Sequence, residues 1–324
     1  MGVLEFEPIL KRARWGGRKL ATLLGKSIGS QFDYAESWEI SDVPGCESRV
    51  CFGEHTGKSL RQLWQESASE LSGRLSNNER FPLLVKFLDA NDRLSVQVHP
   101  NDKLAQQRYC SPFGKTECWT ILHSEPAAKL YVGLQPGVDR AELEQAVRDN
   151  RIEGCLHEID VKPGDFVFVP AGTVHAIGEG IVLAEIQQTS DTTFRLFDWN
   201  RLGADGEPRA LHIENALDCI DFQRGPVFPT ATRIVQTPFG SVEDLVSCEH
   251  FQVRRFCLSE VYEPPPEGIM RIWILLSGSA IMKNENGERN LPTGRTILAA
   301  AASKQYSLCP QDNPQLLEVT LPRG

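Results

Sequence analysis

The sequence predicts a mainly β protein built as two related units, and three observations carry that reading. Short apolar runs broken by Gly, Pro, Asn and Asp recur along all 324 residues, the pattern of many short strands. Helical stretches are few. A turn–strand–turn–strand pattern also occurs twice: Lys162–Ile177 is echoed by Pro292–Ser307. Sandwich or barrel architecture follows, with a few helices inserted in and around the first unit.

Taken in order, Ser59-Leu60-Arg61-Gln62-Leu63-Trp64 opens a helix expected to run to about Leu75. Leu83–Leu88 is an apolar run and reads as a strand. Asn101-Asp102-Lys103-Leu104-Ala105 begins a short helix. Asp139 followed by Glu142 has the spacing of an N-cap with its capping box, for a helix to about Asn150. Phe166–Val169 and Ile181–Ile186 read as strands, and His212–Leu217 as the start of another helix. Pro226-Val227-Phe228-Pro229 is a linker, dividing the chain into 1–228 and 229–324. In the second part Arg271–Leu276 and Leu316–Val319 are strands and Glu263–Gly268 is a surface loop.

Bulk properties narrow the class. The hydrophobic share is 41% and the charged share 24%, ordinary for a soluble globular chain. A net charge of −9 argues against nucleic acid as a partner. No stretch approaches the length of apolar sequence that a membrane helix needs. The N-terminus lacks the basic and apolar regions of a signal peptide. The nine cysteines are odd in number and contain no CxxC pair. They read as free thiols in a reducing cytoplasm rather than as a disulfide framework or a cysteine metal site.

The most informative segment is Leu94-Ser95-Val96-Gln97-Val98-His99-Pro100. With a side-chain period of 2, Ser95, Gln97 and His99 share one face and Val96 and Val98 the other. A polar face turned into a cavity is suited to a metal ion or a polar ligand. Glu117, in Gly114-Lys115-Thr116-Glu117-Cys118-Trp119, and His175, after the turn Pro170-Ala171-Gly172-Thr173, complete a candidate set. One amide oxygen, two imidazoles and one carboxylate suit Zn²⁺, with Fe²⁺, Mn²⁺ or Co²⁺ as alternatives. Alternation puts Cys118 on the face opposite Glu117, a packing position. The second unit has His250 as its sole histidine and no comparable set. His55, His123, His157, His212 and His250 belong to no pattern.

Several motifs, in order, resemble type I phosphomannose isomerases. They are Arg14-Trp15-Gly16-Gly17, Glu36-Ser37-Trp38-Glu39, Lys86-Phe87-Leu88-Asp89-Ala90, Leu94–Asp102, Gly114–Glu117, Pro170–Ala176 and Ser190–Trp199. The likeness covers roughly residues 6 to 222 and is loose after about 230. It implies cupin-type (jelly-roll) barrels, in the shorter bacterial form without a large helical domain. It also implies one zinc per chain held by Gln97, His99, Glu117 and His175, and interconversion of mannose 6-phosphate and fructose 6-phosphate.

That reaction moves a proton between C1 and C2 through a cis-enediol. It needs electrophilic stabilisation of the oxygens, a proton shuttle and a hold on the phosphate. By resemblance, Arg195 and Lys115 serve catalysis, and Ser95 and Lys86 touch substrate. Glu185, an acid in the apolar run Ile181–Ile186, has the burial that raises a carboxyl toward a useful range for a general base. Lys115 is its competitor for the shuttle. Three other readings stay open: a non-catalytic cupin that binds a sugar phosphate, an isomerase for a different sugar phosphate, and a cupin dioxygenase using Fe²⁺. Oligomeric state is not legible.

Overall fold

The computed structural model describes residues 1–52, 55–73, 79–202, 206–285 and 287–322. The molecule is mainly β, as expected. Among these residues the strands form a nine-, a six- and a five-stranded sheet, with a two-stranded ribbon beside them. Their layering follows from which apolar faces each sheet must cover.

The six-stranded sheet contains Leu83–Ala90, Glu117–Ser124, Phe166–Val169 and Ile181–Gln188. The last of these is buried along its whole length, so both faces of the sheet are covered. One face, with Val85, Phe87, Cys118, Ala184 and Ile186, packs on Ile272, Ile274, Leu317 and Val319 of the nine-stranded sheet. The other face packs Leu88, Trp119, Ile121 and Leu183 on Leu130, Val132 and Ile177 of the five-stranded sheet. The outer face of the five-stranded sheet, with Val96, Val98, Val174 and Leu196, is covered by helices Arg140–Arg148 and Ile213–Cys219. The layers therefore run from helices to the five-stranded, the six-stranded and finally the nine-stranded sheet. The site lies between the five- and six-stranded sheets.

The expected helices form. Ser59 caps Leu60–Ser72: its hydroxyl accepts from the Gln62 N–H and the Gln62 side chain accepts from the Ser59 N–H. Gly73, at φ 81°, ends the helix in the left-handed region. The expected end near Leu75 falls outside the described residues. Asp139 accepts from the Glu142 N–H and caps Arg140–Arg148, which ends slightly short of Asn150. Asp102–Tyr109 starts from Asn101, whose side chain accepts from the Leu104 N–H.

In both stretches of the expected repeat a short strand is followed by a turn and a second strand: Phe166–Val169 then His175–Ile177, and Thr296–Ala299 then the strand from Tyr306. In the first copy the two strands enter facing sheets; in the second both join the nine-stranded sheet. That sheet also takes Val3–Phe6 and Val50–Phe52 from the start of the chain, with Val3 opposite Ala299 and Leu4 opposite Leu298. Pairing across so long a separation leaves no local trace in sequence.

Candidate metal and sugar-phosphate site

The site arises because the inner face of the six-stranded sheet changes character along its length. Cross-strand register puts Glu117 opposite Gln187, Trp119 opposite Glu185, Glu185 opposite Lys86 and Lys86 opposite Trp38. These residues share one face. One row further, Ile121, Leu183 and Leu88 make the same face apolar. The polar end is walled by the five-stranded sheet, where His175 lies opposite Gln97 and Gln97 opposite Arg195. The alternation expected of Ser95–His99 is present: Val96 and Val98 pack under the helices while Gln97 and His99 turn inward.

His99 Nε2 lies 3.6 Å from one Glu117 oxygen and His175 Nε2 lies 3.4 Å from the other. The Gln97 amide nitrogen is 3.3 Å from His175 Nε2, and a half-turn of the amide brings its oxygen to the same place. His99, Glu117 and His175 are each at most 1% exposed, with donor atoms within 4.8 Å of one another.

Both imidazoles are oriented from behind. His99 Nδ1 lies 3.0 Å from the Thr192 carbonyl and His175 Nδ1 lies 2.9 Å from the Thr173 carbonyl. Each Nδ1–H donates to its carbonyl, which leaves an Nε2 lone pair aimed at Glu117. Burial holds both rings neutral. It pushes His175 down to about 4 and His99 well below its ordinary value, and the nearby Lys115 ammonium acts in the same direction. Trp119 packs edge-on to His175, with ring centres 5.4 Å apart.

Glu117 Oε2 is buried without a well-directed hydrogen bond. Two neutral nitrogens, a buried carboxylate and an adjacent amide are a donor set that fits a divalent cation of the zinc type.

The charges beside this set form a chain. Lys115 Nζ is 2.9 Å from Glu117 Oε2, 2.9 Å from His99 Nε2 and 3.9 Å from Glu185. Lys86 Nζ is 3.2 Å from Glu185 and 3.3 Å from Glu36, which also accepts from Trp38 Nε1 at 2.6 Å. Burial raises the Glu185 carboxyl above its ordinary value; Lys86 opposes this and Glu117 adds to it. For Glu36 burial also acts upward, but Lys86 and the Trp38 hydrogen bond outweigh it, and the net shift is downward. Burial pulls Lys86 down, yet the fields of Glu185, Glu36 and Glu117 leave it raised. Three carboxylates against two ammonium groups leave this cluster one negative charge in excess, favourable to a bound cation.

The structure brings together the expected Gln97, His99, Glu117, His175, Lys115, Lys86 and Glu185. Ser95 is buried just before the Val96–Val98 strand. Arg195 shares the inward face through its pairing with Gln97. Its Nη1 donates to the Ala210 carbonyl at 2.9 Å, and its buried Nε has no hydrogen-bond partner among the described residues. Cys118 is fully buried against the nine-stranded sheet, as its alternation required. Glu36 escaped notice as a member of the cluster. Its signal was an acid two residues before a tryptophan in a strand.

Comparison with known proteins decides the family. The chain is 35% identical to the probable mannose-6-phosphate isomerase GmuF of Bacillus subtilis, over 94% of this chain and 95% of that one. It belongs to the type I phosphomannose isomerases. The model of that family's catalytic domain matches residues 3–112. A mannose-6-phosphate isomerase of Streptococcus mutans is 42% identical over 64% of each chain. The crystal structure of the mannose 6-phosphate isomerase from Bacillus subtilis superposes with a TM-score of 0.91 at 30% identity, covering 98% of this chain and 99% of that one. The fold is thus shared from end to end, including the region after residue 230 where the sequence motifs fade.

Proposed function

We propose that this enzyme interconverts mannose 6-phosphate and fructose 6-phosphate through a cis-enediol, with one zinc ion held by Gln97, His99, Glu117 and His175. The observation that carries the reading is the pair of histidines, each with Nδ1–H on a backbone carbonyl and Nε2 on the same buried carboxylate. When bound, zinc supplies Lewis-acid polarisation or a template for the substrate oxygens.

The chain's own residues supply the rest. Glu185 is the proton shuttle. Its carboxylate takes the proton from C2 of the aldose, and the C–H electron pair forms the C1=C2 bond of the enediol. The C1 carbonyl oxygen takes up the displaced electron pair and gains the proton that the C2 hydroxyl gives up. The same carboxyl then returns its proton to C1 while the C2 oxygen becomes the ketose carbonyl. One carboxyl serving both carbons from one face requires the cis geometry. Burial raises the Glu185 carboxyl above its ordinary value, which improves it as a base that must also act as an acid. Lys115 and Arg195 stabilise the negative charge that develops on the enediol oxygens. Lys86, held between Glu185 and Glu36, fixes the shuttle and faces the sugar together with Ser95.

The substrate is a small sugar phosphate rather than nucleic acid. No described helix is long and apolar enough to cross a membrane, and all nine cysteines are unpaired, which supports a reducing cytoplasm. We assign catalysis to residues 1–228, which hold every proposed site residue, and a supporting role to 229–324.

The test is a coupled assay on metal-analysed protein with and without chelator. Turnover of mannose 6-phosphate that needs about one zinc per chain, and is lost with the metal in Glu117→Ala, is the expected result. Full turnover by metal-free protein would overturn the metal assignment. No turnover by zinc-loaded protein would overturn the substrate.

A further inference from the structure

We propose that His212 is a positioning residue that sets Arg195 for the reaction, a step that rests on the role given to Arg195 above. Arg195 sits in Phe194–Phe197, the edge strand of the five-stranded sheet, whose ladder neighbour is Val96–Val98. On the opposite edge the Arg195 N–H donates to His212 Nδ1 at 3.1 Å, and the His212 N–H donates to the Arg195 carbonyl at 2.7 Å. These two bonds reproduce one rung of an antiparallel ladder, with an imidazole nitrogen in place of a carbonyl. The ring is steadied by Phe194, edge-on at 6.2 Å and 77°.

The geometry depends on how the chain returns. It leaves the strand through Trp199 and Asn200, both left-handed at φ 57° and 54°. A tryptophan in that region persists only when its surroundings hold it. Here the Trp199 indole donates to the Leu94 carbonyl at 2.5 Å and its ring lies under the Arg93 guanidinium. Buried Asp198 then accepts from Arg201 at 2.7 Å and from Arg209 at 2.7 and 2.6 Å. The returning limb 209–212 is thereby tethered, and it supplies both His212 and the Ala210 carbonyl that holds Arg195 Nη1. One short limb fixes the main chain and the guanidinium of Arg195 together. Among the described residues, the hydrogen bonds and ring contact of His212 are with Arg195, Ala216 and Phe194 rather than with the proposed metal ligands.

The imidazole role is specific. It needs an acceptor at the Nδ1 position, which asparagine supplies through its Oδ1 and glutamine, one carbon longer, does not. His212→Ala should lower kcat roughly 10- to 100-fold with little change in KM, because a misplaced group loses transition-state rather than ground-state contact. His212→Asn should recover most of that loss and His212→Gln should not. In an Arg195→Ala background, His212→Ala should add nothing. If Arg195→Ala loses turnover while His212→Ala keeps it, or if the two losses simply add, the inference is overturned and the role of Arg195 stands. If Arg195→Ala keeps full turnover, that role fails first and the inference with it. Should His212→Ala not fold, the Asn and Gln variants at matched thermal stability decide the question: equal activity overturns it.

Discussion

Replacing Lys86 by Met removes an ammonium that lies 3.2 Å from Glu185 and 3.3 Å from Glu36. Both carboxylates stay in a region where Lys86 is 7% exposed and Glu185 is 2% exposed. Stripping one partner from a buried ion pair costs about 3–5 kcal/mol. Protonation sets a ceiling on the loss. A carboxyl with an ordinary value of 4.5 that must be neutral at pH 7 in the folded state costs about 3 kcal/mol. Lys115, 3.9 Å from Glu185, offsets part of this for that group. Glu36 takes most of the loss, so the expected total is about 4 kcal/mol at pH 7. The sign of the pH dependence follows. The folded variant binds protons that the unfolded chain does not, so its stability rises as pH falls from 7 toward 5, by up to about 1.4 kcal/mol per unit per carboxyl. In wild type Lys86 holds Glu36 below its ordinary value, so Glu36 lacks that term, and the raised Glu185 contributes a smaller one than in the variant. Urea unfolding of wild type and variant at pH 7 and pH 5, both metal-loaded, measures it. A deficit below about 1 kcal/mol at pH 7, the scale of an exposed pair, or a deficit equal at both pH values, would refute the argument.

Other expectations follow from the same geometry. Gly114→Ala places a Cβ 2.5–2.6 Å from the backbone of Pro100, Asn101 and Asp102; it should cost about 2 kcal/mol or more in denaturant unfolding and weaken metal binding by parting His99 from Glu117. Metal-free protein should lose stability as pH falls from 6.5 toward 4, because unfolded histidine takes up a proton that folded His175, at about 4, refuses. That loss is on the order of 3 kcal/mol, read from urea midpoints across the range, and His175→Gln should flatten the slope. Glu185→Gln should keep bound metal by elemental analysis yet lose exchange of the substrate C2 hydrogen with solvent; retained exchange would move the shuttle to Lys115.

What the sequence discloses is the face on which a side chain lies, and what it withholds is depth and neighbours. Alternation in Ser95–His99 and around Glu117 is a local property of extended backbone, so the inward set and the outward Val96, Val98 and Cys118 are legible. The family motifs then add His175 and Arg195, the two cross-strand neighbours of Gln97. Glu36 and His212 act through partners distant in the chain, Lys86 in one case and Arg195 in the other. A lone histidine at a helix N-terminus carries no periodic signal. The joining of Val3–Phe6 to Thr296–Ala299 is likewise silent. The site's position depends on a further non-local fact. Along one face of one sheet, the row with Glu117, Glu185 and Lys86 is followed by Ile121, Leu183 and Leu88. The apolar rows close the space between the sheets, so the polar rows meet across it only at one end. There the desolvation that closure imposes shifts Glu185, His99 and His175 away from their ordinary values. Packing at the apolar end is therefore part of the chemistry at the polar end. A substitution that loosens Leu183 or Trp119 should move those titrations before it disturbs any ligand.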